Sequence, residues 1–332
     1  MEVSPAVPRP MQRSEDPEAA FHARIGAENL GALWVGRRGV DLTRPNTPAR
    51  PAAWRFEDVR PRLMEAGGLI GAEDAFRRVL VLQNPGCGGA MQATQTLYAG
   101  IQLVLPGEIA PCHRHSQTAI RFVIEGNGAL TTVDGAATAM APGDMVVTPQ
   151  WTWHDHRNEG GEPVIWLDIL DTPLIDALDT VFRETHPEAL QPLTRTEAEG
   201  EPALNRRAGP ARAALDRLAR ETPPDPCLGW RFRYDDPSPT MAAFLQRLPT
   251  GFDGAPRRAT DGAVYCVVEG EGATETGDGA FEWRAKDVFV VPGWCRHRHV
   301  SGGGAVLFGV SDLALQERLG LWREQRSDGG ES

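Results

Sequence analysis

With 332 residues, the chain has room for two domains or one large one. It is 41% hydrophobic and 24% charged, as in an ordinary globular protein, and its net charge of −11 argues against nucleic acid or an anionic membrane surface as partner. Five scattered cysteines without a C-x-x-C read as reduced thiols of a cytoplasmic protein, and neither a signal peptide nor an apolar run of about 18 residues is present.

Residues 1–13 are Pro-rich and poor in apolar side chains, and read as a mobile arm. Ser14 followed by acids predicts a helix start, with Phe21, Ile25, Leu30 and Leu33 as an apolar stripe. Residues 37–53 read as a surface crossing, and Glu57 to Ala66 as a short helix carrying Pro61 in its first turn. Strands are expected over residues 77–82, 97–105, 119–125 and 164–170. The last contains Asp168, which needs a partner, because burying an unpaired charge is costly. Helices are expected over residues 174–183, 211–220 and 312–325, and residues 185–210 read as a connection. Gly126-Asn127-Gly128 and Asp134-Gly135 read as hairpin turns.

The chemistry concentrates in residues 107–158. His113 and His115 stand two apart, so on a strand both imidazoles point to one face. His154, from a later strand, completes a three-imidazole set that suits Zn, Cu, Ni or Fe. Cys112 immediately precedes His113, so its side chain should point to the opposite face of that strand. His156 shares the face of His154 and is read as a residue behind the metal or facing substrate. His22, His186, His297 and His299 are left as structural or surface residues.

The spacing Gly107, five residues, His113-x-His115, Gly126, then Gly143, five residues, Pro149, His154 and Asn158, resembles the cupin double motif of small jelly-roll barrels. The carboxylate ligand of many cupins is absent, since Ala119 and Ile120 occupy its place. The second half echoes the first: Val267-Val268-Glu269-Gly270 follows Val123-Ile124-Glu125-Gly126, and Pro292 to His299 follows Pro149 to His156. Such self-similarity implies a duplicated domain. Counting back from the shared Glu-Gly sets Arg257 and Ala259 where His113 and His115 stand, so only His297 persists and the second copy is expected to be metal-free and structural.

Beyond that pattern, residues 77–86, 97–102, 113–122, 151–156, 166–168 and 320–325 resemble the gentisate 1,2-dioxygenase and salicylate-type ring-cleaving dioxygenase family. The resemblance implies a mainly β bicupin, two jelly-roll barrels with added N-terminal, linking and C-terminal helices. The expected divisions are a helical arm (1–75), a metal-binding barrel (76–172), a helical linker (173–228), and a second barrel with a closing helix (229–332). It implies Fe(II) on His113, His115 and His154, and O2 plus an aromatic ortho-hydroxy acid as substrates. Arg77, Tyr98, Gly100, Gln102, Arg121, His156 and Asp168 match substrate-pocket positions, with Arg121, His156 and Asp168 in catalytic roles. Arg121 is assigned to the substrate carboxylate, because a guanidinium fork fits a carboxylate. Gly100 is read as leaving room beside the ring, and Tyr98 stands where some members carry Trp. Gentisate, cleaved to maleylpyruvate, leads as substrate. Salicylate, a 5-substituted salicylate such as 5-nitrosalicylate, and 1-hydroxy-2-naphthoate are the alternatives. From other classes stand a non-catalytic acid-binding cupin and a metal-dependent isomerase. A homo-oligomer of tetramer size is implied.

Overall fold

The computed structural model describes residues 16–36, 43–71, 77–196, 204–235 and 237–326. It divides into two units, one ending at Asn46 and one running from Thr47 onward. In the first, helix α1 (Pro17–Ala27) starts at Asp16, whose side chain accepts from the Glu18 amide at 3.1 Å, and α2 spans Leu33–Gly36. The expected cap Ser14 and residues 1–13 lie outside the described residues. The apolar stripe does not hold as one helix: α1 ends at Ala27, Asn29 takes a positive φ of 58°, and no α1 residue is buried.

In the second unit the elements follow as β1 (Ala52–Trp54), α3 (Phe56–Leu69), β2 (Val79–Val81), β3 (Tyr98–Val104), β4 (Ile109–His115), β5 (Ala119–Glu125), β6 (Ala129–Val133), β7 (Ala136–Ala139), β8 (Met145–Thr148), β9 (His154–Asn158) and β10 (Val164–Leu170). There follow α4 (Thr172–Ala177), β11 (Arg183–Thr185), β12 (Arg195–Thr196), β13 (Asn205–Arg206) and α5 (Ala208–Glu221). The second copy contains β14 (Trp230–Arg233), β15 (Ala242–Leu248), β16 (Phe252–Asp253), β17 (Arg257–Ala259), β18 (Ala263–Thr276), β19 (Gly279–Arg284), β20 (Val288–Val291), β21 (His297–Ser301) and β22 (Ala305–Ser311), then α6 (Leu313–Arg318) and β23 (Glu324–Arg326). No helix among the described residues is long and apolar enough to cross a membrane.

Two curled sheets face each other in the first barrel, ordered β13-β8-β5-β10-β3-β2 and β11-β4-β9-β6-β7-β12. Asp134 and Gly135 both take positive φ, 44° and 79°, and close the expected hairpin between β6 and β7. The Gly126–Gly128 turn is not a hairpin: β5 and β6 belong to different sheets, and the turn carries the chain across. A Cβ on Gly126 would sit 2.1 Å from the Pro163 carbonyl oxygen, so the crossing needs glycine there. Three helical expectations also shift. Residues 174–183 divide into the short α4 and the strand β11, residues 312–325 into α6 and β23, and Pro61 falls in the second turn of α3.

The two barrels lie back to back. Ile120, Phe122 and Ile124 of β5 and Ile165, Leu167 and Ile169 of β10 share one core with Val306, Phe308 and Val310 of β22. The Phe122 and Phe308 rings stack at 4.2 Å between centroids. The other faces of β5 and β10 look into the first barrel, so both strands are buried on both sides and read as nearly unbroken apolar runs.

Each barrel is also built partly from the segment that precedes the other. β1 pairs with β20 of the second barrel, and Asp287 accepts from the Phe56 amide at 2.8 Å, capping α3. Correspondingly, β13 pairs with β8 of the first barrel, and Asp144 accepts from the Ala208 amide at 3.0 Å, capping α5. Residues 37–53, expected to be a plain surface crossing, thus end in a strand of a sheet. A second crossed pair joins the barrels: Thr96 donates to Asp312 at 3.0 Å, and Thr240 donates to Asp171 at 2.6 Å.

Burial drives the Asp312 carboxyl up to about 6, against hydrogen bonds that pull it down. The folded chain therefore binds a proton that the unfolded chain releases between about pH 4 and pH 6. Stability from this group falls as pH rises through that window, and the cost is complete above about pH 6. Between pH 4.5 and 7, unfolding free energies from urea titration of metal-free wild type and Asp312→Asn should diverge by about 2 kcal/mol, wild type losing more at the higher pH.

Candidate metal centre and cavity

β4 and β9 are neighbours, and His113 pairs directly with His154 in their register. The imidazole centroids lie 4.2 Å (His113–His154), 4.8 Å (His115–His154) and 5.3 Å (His113–His115) apart. Ligand atoms of all three lie within 4.8 Å of one another, and no other such group of three His, Cys, Asp or Glu occurs among the described residues. Nδ1 of His115 meets the Gln117 carbonyl at 2.9 Å, and Nδ1 of His154 meets that of Thr152 at 3.0 Å. A carbonyl only accepts, so both Nδ1 atoms carry the proton and both Nε2 lone pairs turn inward. Nδ1 of His113 lies 3.1 Å from the Pro111 carbonyl and 2.7 Å from Arg77 Nη2.

Burial, then Arg77, pulls His113 down to about 2; burial, then Arg121, pulls His115 down to about 4; His154 falls far below its usual range, first through burial. Neutral imidazoles are what a divalent metal requires. His154 Nε2 is buried with no protein partner, an orphaned lone pair that a metal would satisfy. The residues present therefore fit a metal. Cys112 is fully buried on the same strand but stands outside the group, and burial pushes its thiol up to about 12.

A cavity of about 620 Å³ opens beside this cluster. It gathers Arg77, Tyr98, Gln102, Arg121 and Asp168 with His113 and His115, although these residues come from four strands and a loop. Arg121, Asp168 and Gly100 form one rung across β5, β10 and β3. Arg121 Nε lies 3.1 Å from Asp168 Oδ1, and Arg121 Nη1 donates to Thr148 at 2.5 Å. Burial raises the Asp168 carboxyl while Arg121 opposes that shift. Arg77 is lowered to about 9, by burial first and by Arg121 second. His115 and Arg121 stand six residues apart but not on one strand: they sit on β4 and β5, in opposite sheets, and both line the cavity.

His156 is fully buried beside the cluster, its ring centroid 5.8 Å from that of His154. Its Nδ1 lies 2.8 Å from Thr131 Oγ1, and its Nε2 has no protein partner. Gly100 does not leave open room. A Cβ there would meet Val79 Cγ1 at 2.5 Å and the Tyr98 hydroxyl at 2.6 Å, so those side chains already fill the space. Sequence reasoning missed Met91, Gln117, Asp176, Val181 and Arg183, which also line the cavity. Met91 comes from the loop before β3, Gln117 from the turn after β4, and Asp176, Val181 and Arg183 from the segment that follows β10, and no local pattern marks them.

In the second barrel Arg257 takes the register position of His113, opposite His297, and is bonded to Glu324 at 2.8 Å. Ala259 takes that of His115, so the ligand set is not repeated there.

A cupin-domain family pattern matches residues 100–170. The chain is 42% identical to gentisate 1,2-dioxygenase 1 of Aquipseudomonas alcaligenes, with 92% of this chain and 96% of that one covered. It is 33% identical to a 5-aminosalicylate 1,2-dioxygenase of Comamonas sp., with 92% and 89% covered. The solved structure of a salicylate 1,2-dioxygenase from Pseudoaminobacter salicylatoxidans, with gentisate adducts, superposes with a TM-score of 0.87 at 29% identity, covering 97% of this chain and 98% of that one. With the three-imidazole cluster, the guanidinium-lined cavity and the bicupin frame in one unit, the chain belongs to the gentisate 1,2-dioxygenase family of ring-cleaving dioxygenases.

Proposed function

We propose that the protein is an Fe(II)-dependent gentisate 1,2-dioxygenase, which opens the ring between the carboxyl- and hydroxyl-bearing carbons and places both atoms of O2 in maleylpyruvate. The observation that carries this reading is the charge of the cavity beside the histidines. Three guanidiniums, Arg77, Arg121 and Arg183, line it against two carboxylates, Asp168 and Asp176. A small site with that excess and three neutral imidazoles favours an anionic hydroxy acid.

His113, His115 and His154 would hold the iron, which supplies, when bound, the electronic path between an electron-rich ring and O2. Arg121 binds the substrate carboxylate. Its Nε and Nη1 are already fixed by Asp168 and Thr148, so the guanidinium is oriented before substrate arrives and Nη2 remains for the ligand. Asp168 acts by holding that orientation. Thr131 Oγ1 donates to Met140 Sδ at 2.9 Å and so accepts from His156 Nδ1, which leaves His156 Nε2 bare to accept a hydrogen bond from a substrate hydroxyl. Gln102 and Tyr98 complete the polar wall, and Tyr98 closes over Gly100. A 5-substituted salicylate is the second reading, favoured by the 5-aminosalicylate relative and by a Tyr98 hydroxyl set to meet a polar ring substituent. The enzyme works in the cytoplasm as a homo-oligomer; the exposed ring pair Trp151 and Phe182, at 6.2 Å, is the kind of apolar surface an assembly covers.

Elemental analysis should find one iron per chain. His154→Ala should lose nearly all of it together with activity, while circular dichroism stays that of wild type; two tightly held irons per chain would contradict a metal-free second barrel. Arg121→Met should keep its iron yet lose about 2–5 kcal/mol of transition-state binding, roughly 30- to several-thousand-fold in kcat/KM. An oxygen-electrode comparison on one iron-loaded sample should rank gentisate above salicylate, 5-aminosalicylate and 5-nitrosalicylate by at least about tenfold, since a site built for a hydroxyl rejects analogues lacking it. Gentisate inert beside an active 5-substituted salicylate would move the assignment to the second reading.

A further inference from the structure

The second barrel has lost the metal ligands but not its polar interior. Gln246 sits on β15 where Gln102 sits on β3, and it is fully buried with neither side-chain polar atom hydrogen-bonded. His297 and His299 repeat His154 and His156, are at most 5% exposed, and have unpartnered Nε2 atoms. Arg231, directly opposite Gln246 in the β14–β15 register, has its guanidinium 3.3 Å over the Phe244 ring and reaches the Tyr265 hydroxyl at 3.4 Å. Its Nε is shielded from solvent without a partner, and no described carboxylate forms an ion pair with it.

The tautomers decide what these groups seek. His297 Nδ1 lies 2.9 Å from the Cys295 carbonyl, so it carries the proton and Nε2 is an acceptor. Thr274 is fully buried and already accepts from Trp283 Nε1 at 2.9 Å. Among the described residues His299 Nδ1, at 2.9 Å, is the one acceptor for the Thr274 hydroxyl proton, so His299 carries its ring proton on Nε2, which is a donor. The interior therefore offers a guanidinium, an imidazole N–H and an amide N–H beside two bare acceptors, His297 Nε2 and Gln246 Oε1. Buried groups of this kind are normally satisfied. A carboxylate matches the donors but brings no proton for the acceptors. A hydroxyl on the same molecule does.

We propose that the second barrel binds a small hydroxy acid, its carboxylate on Arg231, His299 and the Gln246 amide N–H and its hydroxyl donating to His297. Phe244, Tyr265, Trp283 and Phe289 fill the rest of the interior, so the ligand must be small.

Glycolate is the probe. Calorimetric titration of the full-length Arg121→Met protein, in which the first barrel's own carboxylate-binding guanidinium is removed, should show one saturable glycolate site per chain. Adding Arg231→Met or Gln246→Leu should weaken it at least about tenfold, the loss of one charge-assisted hydrogen bond. Leu matches Gln in volume and removes two unpaired buried atoms, so the Gln246→Leu protein without ligand should melt at or above wild type, which separates lost binding from lost folding. Crystals grown with glycolate should hold it against Arg231 and His299. Glycolate binding unchanged in both variants, or a second barrel containing water alone at saturating glycolate, would overturn the proposal.

Discussion

A strand covered on both faces has nowhere to place a charge except against another charge. β5 and β10 are such strands, because one face of each packs on the second barrel and the other closes the first. Arg121 and Asp168 are opposed in register and paired at 3.1 Å, and each stands between large apolar neighbours that point the other way. The same burial makes the pair costly to break and fixes the direction of the guanidinium. Back-to-back packing thus reaches the chemistry directly: Phe122 stacked on Phe308 sets the plane of β5, and the adjacent Arg121 is aimed into the cavity by the alternation of the strand.

That packing is itself held by exchange. α3, which precedes the first barrel, is capped by Asp287 of the second, and α5, which precedes the second, is capped by Asp144 of the first. Neither helix has a side-chain cap of its own, Arg55 and Arg207 being the residues at the cap positions. An isolated barrel would lose an edge strand and leave a buried aspartate without its donors. Duplication here has produced two mutually dependent halves, which explains why a second barrel without the metal ligands is retained in full.

The parts of the fold legible in the sequence are those governed by local pattern. β5 and β10 fall within the residues expected, as do His113, His115 and His154, because a two-residue spacing and an apolar run need no knowledge of the partner strand. The need of Asp168 for a partner was also readable, from the cost of burying a charge. What stayed hidden was non-local. The Gly126–Gly128 turn has hairpin composition, yet whether it joins neighbours or crosses between sheets depends on where Pro163 passes. Residues 174–183 have helical composition, but β4 offers an open edge and Arg183 pairs with His115 instead. Arg183 and Met91 reach the cavity only through such tertiary placement.

The rung that carries the chemistry also shows how one barrel frame came to hold two interiors. In the first barrel it reads Arg121, Asp168, Gly100; in the second it reads Tyr265, Gly309, Phe244. The glycine has changed strand. At Gly100 a Cβ would strike Val79 and the Tyr98 hydroxyl, and at Gly309 it would lie 2.1 Å from the Phe244 ring. On this face each rung holds two large side chains and one glycine, because a third would overlap its neighbours at the fixed strand spacing. Where the central strand carries Asp168, the neighbour must be small and a charged pair results; where it carries glycine, the neighbour is Phe244 and the rung is aromatic. Arg231, one strand further out, then lies over that ring rather than beside an acid. Tyr265 holds the rung position of Arg121, and Arg231 stands where Val79 stands in the first barrel, so the second interior carries a guanidinium from a different strand, without the carboxylate that Asp168 supplies in the first.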